Sequence, residues 1–231
     1  MFKYLKFMSF HIMGLIAIIS ISLGESYISI GFGFWIAFYL FADMVFGDDV
    51  SEPTYQFPKL LTWQLWLALP IVAMISFVSV WHFAQVDVLG YGAWFSNFAG
   101  YDILAAKENT GPVQHVVLVF FLGLAIGIIG TITGHELTHR TWDPVSMLIG
   151  RWLLSFSFDA NFSIEHVYGH HRYVSTKDDP ATAPRGRNVY AHILISTILG
   201  NVSAWNIEKS RLAKKGKSVF SLGNVAIRGY V

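Results

Sequence analysis

Five histidines fall into two short clusters. The first is His135-Glu136-Leu137-Thr138-His139 followed by Arg140, and the second is Glu165-His166-Val167-Tyr168-Gly169-His170-His171. On an α-helix, residues four apart lie about 40° apart around the axis and about 6 Å apart along it, so both imidazoles of such a pair can reach one metal. The first cluster alone matches the signature of zinc proteases, where the intervening glutamate is a general base, and other metal-bearing helices equally well. The second cluster adds another pair at this spacing. It also adds His171, which on an α-helix lies about 100° around from His170 and can address a second metal or the far side of the first. A catalytic zinc takes three protein ligands and an open position, and imidazole also suits iron, so five imidazoles point to a two-metal site. The chain has no cysteine, which excludes thiolate ligation and disulfides.

The elements that must carry these clusters are membrane helices. Hydrophobic residues make up 54% of the 231 and charged residues 13%, against about 45–50% and about 25% in average soluble domains. Mean hydropathy is +0.48. Disordered chains, collagens and soluble nucleic-acid binders all need far more polar surface, and no nucleic-acid partner is expected. Four apolar stretches are long enough to cross a bilayer as helices: 7–23, 27–46, 60–83 and 113–134. Pro70 is expected to kink the third. The stretch 145–158 is apolar but too short to cross, and reads as an interfacial or re-entrant helix. A second short apolar segment covers 189–199, and a basic, amphipathic stretch suited to the headgroup layer covers 205–217. The expected fold is therefore all-α and integral to the membrane. Residues 1–231 form one membrane domain, in which 135–231 is the cytoplasmic or interfacial histidine-box region.

Lys107 is the one basic residue of 16 that falls on the far side if both termini lie in the cytoplasm. The positive-inside rule then puts both histidine boxes at the cytoplasmic face of the inner (plasma) membrane. Of the other histidines, His11 and His82 belong to spans, His115 to the outer end of the fourth, and His192 has no partner at ligand spacing; all four read as packing or interfacial residues.

The two boxes, with Asp179-Pro180-Ala181 and Arg185-Gly186 after them, resemble those of the integral-membrane non-haem di-iron monooxygenases of the alkane 1-monooxygenase and xylene monooxygenase type. These belong to the fatty-acid desaturase/hydroxylase superfamily. The stretch from Phe41 through Asp43 and Asp48 to Asp49 is also similar to this family, as is Glu208 to Leu222 with its Arg211-Leu-x-x-Lys-Gly-Lys-Ser run. The resemblance implies that His135, His139, His166, His170 and His171 ligate iron, two ions per complete site. It further implies hydroxylation of the terminal or methyl carbon of an alkane or alkyl-aromatic, with O2 and electrons from rubredoxin or ferredoxin and its reductase. A desaturase of the same superfamily would use the same metal. A zinc protease would explain only the first box. The family carries further histidine motifs downstream that are absent here, so the chain is expected to be an N-terminal piece of a longer protein, the alternative being an inactive remnant.

Other residues take roles on the same reading. Glu136 and Glu165 adjoin ligand histidines and would accept hydrogen bonds that orient the rings. Asp43, near the inner end of the second span, reads either as a buried functional carboxylate or as a solvated one close to the interface. Asp159, Asp178 and Asp179 are further candidate partners of the ligands. Trp35, two turns before Asp43, either lines the substrate channel or packs as an ordinary aromatic. Arg211, Lys214, Lys215 and Lys217 either dock an acidic electron carrier or serve as positive-inside residues touching anionic lipid.

Overall fold

The computed structural model describes residues 2–48, 50–51 and 53–228; Asp49 and the last three residues lie outside them. The described residues form helices and no strands. Four helices are long and apolar enough to cross a membrane: Lys3–Leu23, Glu25–Phe46, Pro58–Phe83 and Pro112–Thr138. The chain divides into two compact units, Met1–Gly130 and Thr131–Val231.

In the first unit, α1 (Ser9–Leu23) turns directly into α2 (Glu25–Phe46). Gly24, at φ 71°, makes the turn, a left-handed conformation that glycine adopts without strain. The third span is interrupted: α3 (Pro58–Trp66) stops and α4 (Ala68–Phe83) starts after Leu67. Pro70 lacks the N–H that would bond the Trp66 carbonyl, and its ring crowds that carbonyl, so the break falls one turn before the proline. Trp35 is fully buried here: its indole Nε1 donates to the Met13 carbonyl at 2.8 Å and its ring meets Phe121 edge-on. His11 and His82 donate from Nε2 to the carbonyls of Gln64 (2.9 Å) and Ile21 (2.6 Å). Between the third and fourth spans, α5 (Tyr91–Ala99) and α6 (Ile103–Asn109) form a short hairpin, with Asp102 capping α6 through Leu104 N and Ala105 N at 3.1 Å. The fourth span opens with α7 (Pro112–Ala125).

The second unit begins with α8 (Ile132–Thr138), which carries His135 and ends at His139. It packs against α9 (Pro144–Ser155). Twelve residues give α9 a length of about 18 Å, short of the roughly 30 Å hydrocarbon core. Asp143 starts it, accepting from Val145 N at 3.0 Å and Ser146 N at 3.2 Å, with Pro144 in the first turn where its missing N–H costs nothing. The second box spans three pieces: α10 (Phe162–Glu165), a π-helical turn over His166–His170, and α11 (His171–Tyr173). A single helix, α12 (Val189–Ala213), covers the stretch 189–199 and continues into 205–217 as far as Ala213. Asn188 caps its start, and contacts from α10 hold it across the change in hydropathy: Asn161 Nδ2 donates to Asn201 Oδ1 at 2.9 Å and Ser203 Oγ to Glu165 Oε1 at 3.3 Å. Near its end, buried Glu208 takes a bidentate pair from Arg211 (2.6 and 2.7 Å). Glu208 also accepts from Val225 N at 2.7 Å, which ties the final helix α13 (Val225–Arg228) to α12.

Candidate metal centre

Two close packings place the boxes. Gly134 sits beside His135, and a Cβ there would lie 3.0 Å from the Gly150 carbonyl oxygen; the reverse holds for Gly150. Two glycines thus let α8 and α9 approach backbone to backbone, as small residues do between membrane helices. The π turn then sets the register of the second box. A π turn bonds residues five apart, so His166 and His171 face the same way. An α-helix would place them about 140° apart.

The result is one cluster. Nε2 of His139 lies 2.8 Å from Nε2 of His135 and 3.2 Å from that of His166, whose Nε2 is 3.0 Å from Nε2 of His171. The ligand atoms of all four residues lie within 4.8 Å of one another. His166 is buried, His135 and His139 are half-buried, and His171 is exposed. Ring nitrogens from four residues gathered this closely can all turn lone pairs toward one cation. Four ligands around a metal at about 2.0–2.1 Å would stand about 3.3 Å apart, close to the spacings here, so the residues fit a metal ion. Burial first, and then the positive charge the neighbouring histidines would carry, push the His166 imidazolium down to about 3. It is therefore neutral at physiological pH, as a ligand must be.

His170 stands beside the four rather than among them. Its ring stacks on His166 at 5.2 Å, and its Nδ1 donates to Asp179 Oδ2 at 2.9 Å. That bond orients the ring with Nε2 as its remaining ligand atom, the usual arrangement of a ligand histidine held by a carboxylate. Burial works against ionisation of Asp179, but hydrogen bonds from Thr182, the Ala181 N–H and His170 hold its carboxyl below the usual range.

The other named residues fall in different places. Glu165 is buried, bonded to Ser203, and raised by burial and the charge of Asp179. Asp159 is also raised by burial. Both line a cavity of about 330 Å³ with Phe162, His166 and His170. Glu136 points away: it is exposed and ion-paired with Arg140 at 3.0 Å. Asp43 is exposed near the end of α2. Arg211 spends its charge on Glu208, whereas Lys214, Lys215 and Lys217 are exposed. Sequence reasoning missed the glycine pair and the Asn161–Asn201 and Glu165–Ser203 bonds. Two glycines inside apolar helices were the only local hint of the first, and the others join residues 40 and 38 positions apart.

Residues 112–227, half of the chain and including every histidine of the cluster, match the family model described as fatty acid desaturase. This chain belongs to that family. Among relatives of the fatty acid desaturase family, it is 30% identical over 192 residues to alkane 1-monooxygenase 1 of Pseudomonas aeruginosa, covering 82% of this chain and 46% of that protein. It is 34% identical over 149 residues to alkane 1-monooxygenase 2 of Alcanivorax borkumensis (64% and 36%). It is 33% identical over 118 residues to the xylene/toluene monooxygenase hydroxylase component of Pseudomonas putida (51% and 31%). The chain spans about half or less of the length of the curated relatives it matches.

Proposed function

We propose that this chain serves a membrane di-iron monooxygenase that hydroxylates the terminal or methyl carbon of an alkane or alkyl-aromatic. The observation that carries the reading is the convergence of His135, His139, His166 and His171, drawn from both boxes, within 4.8 Å. His170, oriented by Asp179, is the fifth candidate ligand. Iron bound there would supply the redox chemistry that O2 activation needs. The chain's own part is to hold neutral imidazoles in place, Asp179 fixing His170 and the π turn aligning His166 with His171. Glu165 and Asp159, raised by burial, sit beside the ligands as hydrogen-bonding groups.

On this reading residues 1–231 act as one membrane domain in the inner membrane, with the boxes on the cytoplasmic side. The apolar substrate enters from the bilayer past spans that include Trp35. Rubredoxin or ferredoxin delivers electrons, docking at Lys214, Lys215 and Lys217 with Arg211 behind them. A fatty-acyl desaturase is the second reading, favoured by the family description itself. The zinc-protease reading loses support because Glu136, its required base, pairs with Arg140 in the open while His166 and His171 of the second box join the same cluster. Two irons per chain and octanol from octane, or a benzylic alcohol from xylene, in whole cells supplied with the carrier would support the proposal. A fatty acid with a new double bond would instead support the desaturase, and one zinc with proteolysis lost in Glu136→Gln the protease.

A further inference from the structure

A second cavity, of about 1410 Å³, lies apart from the histidine cluster in the second unit. Its wall is strongly cationic, with Arg151, Arg172, Lys177, Arg187, Lys214 and Lys215 all contributing. The acidic groups there are mostly taken. Glu208 is bound by Arg211 and Val225 N, and Asp179 by His170, Thr182 and Ala181, which leaves Asp178 as the one carboxylate without a bonded partner among the described residues. Arg151 is the informative member. It is half-buried and its Nε donates to Ser163 Oγ at 3.2 Å, while among the described residues its two terminal nitrogens have no partner. Burial, and repulsion from Arg228 and Arg211, work against its charge, with Glu208 and Tyr168 as the favouring neighbours. A half-buried guanidinium with unused donors calls for an anion. Arginine presents those donors as a planar fork that suits the oxygens of phosphate. A recess with its least solvated cation in the wall suits a small tetrahedral anion better than the flat face of a protein.

We infer that this cavity binds a phosphoryl group, held by Arg151 with Arg172, Arg187 and Lys215 around it, either as free phosphate or as the headgroup of an anionic lipid. The inference does not depend on the metal reading, since no histidine of the cluster lines the cavity.

The test uses the full chain purified in detergent without iron, so that its failure and that of the di-iron reading are separable. Binding of radiolabelled inorganic phosphate is measured by equilibrium dialysis at constant ionic strength in chloride. In parallel, the chain is placed in bilayer discs of phosphatidylcholine with or without phosphatidylglycerol, and retained phosphatidylglycerol is counted by phosphorus NMR after washing. Saturable phosphate binding weakened tenfold or more in Arg151→Gln supports the inference with free phosphate as ligand. No phosphate binding, but retained phosphatidylglycerol lost in Arg151→Gln, supports it with lipid as the source. Arg187→Gln, an exposed site, repeats both arms if Arg151→Gln does not fold. Binding that follows ionic strength alone, binding unchanged in these variants, or loss only of an acidic carrier protein's binding would overturn it.

Discussion

His170 and Asp179 are nine positions apart, and imidazole Nδ1 meets carboxylate Oδ2 at 2.9 Å with the aspartate 3% exposed. The buried carboxylate also accepts from the Ala181 N–H and the Thr182 hydroxyl, which hold it in place against the His170 ring. Asp179→Asn keeps the shape but weakens the acceptor and lets the amide turn its NH2 toward the ring. Metal affinity should fall about 10- to 100-fold, read as iron per chain at limiting iron. Asp178→Asn, one residue earlier and exposed, should leave it unchanged.

His139 is the hub of the cluster, within 3.2 Å of both His135 and His166. Its replacement by alanine should cut bound metal at least tenfold while helix content by circular dichroism stays constant. His192→Ala, at a position on α12 outside the cluster, is the control. If both variants kept their metal equally, the cluster would not be where it binds.

The Gly134–Gly150 contact makes a stability prediction with a functional echo. Gly134→Ala puts a methyl 3.0 Å from a backbone oxygen that cannot swing away. The variant should lose about 1–3 kcal/mol, and the displaced helix should carry His135 out of register. Thermal unfolding in detergent and metal content should therefore fall together. Gly123→Ala, on the same span with open space around it, should change neither.

Glu208 supplies the pH prediction. Burial opposes its ionisation, but the Arg211 pair and the Val225 N–H hold its folded-state pKa below the ordinary 4.5. A depressed carboxylate contributes stability that is present above about pH 4.5 and fades as the pH falls through its folded value. Below that range the segment after α12 should loosen, seen as faster protease cleavage around Lys217. Glu208→Gln should show the same loosening at pH 7, losing roughly 2 kcal/mol, and should flatten the acid dependence. A variant that resisted cleavage like the parent would mean that α13 is held by something else.

Much of this was legible along the chain. Hydropathy over about 20 residues located all four long helices to within a few residues at most ends, because in lipid the backbone must close its own hydrogen bonds and helix length follows from bilayer thickness. Pro70 announced the break in the third span. The two boxes marked themselves by residue type and spacing alone. Local reading failed where distant contacts decide. Asp43 could be read along the chain as buried or as solvated, and only the packing leaves it exposed. The hydropathy change after Leu199 suggested two segments, yet bonds from Asn161 and Glu165 hold α12 through it.

What the amino-acid order determined by itself was therefore a set of membrane helices with five imidazoles at metal-ligand spacing and no thiolate to compete. What the tertiary structure decided was which of them meet. Helical spacing says only that each box can offer two rings on one side. The close approach of α8 to α9 and the π register at His166–His170 bring His171 alongside His135, His139 and His166, and turn His170 toward Asp179. Both depend on residues far apart in the chain, and no local periodicity encodes them.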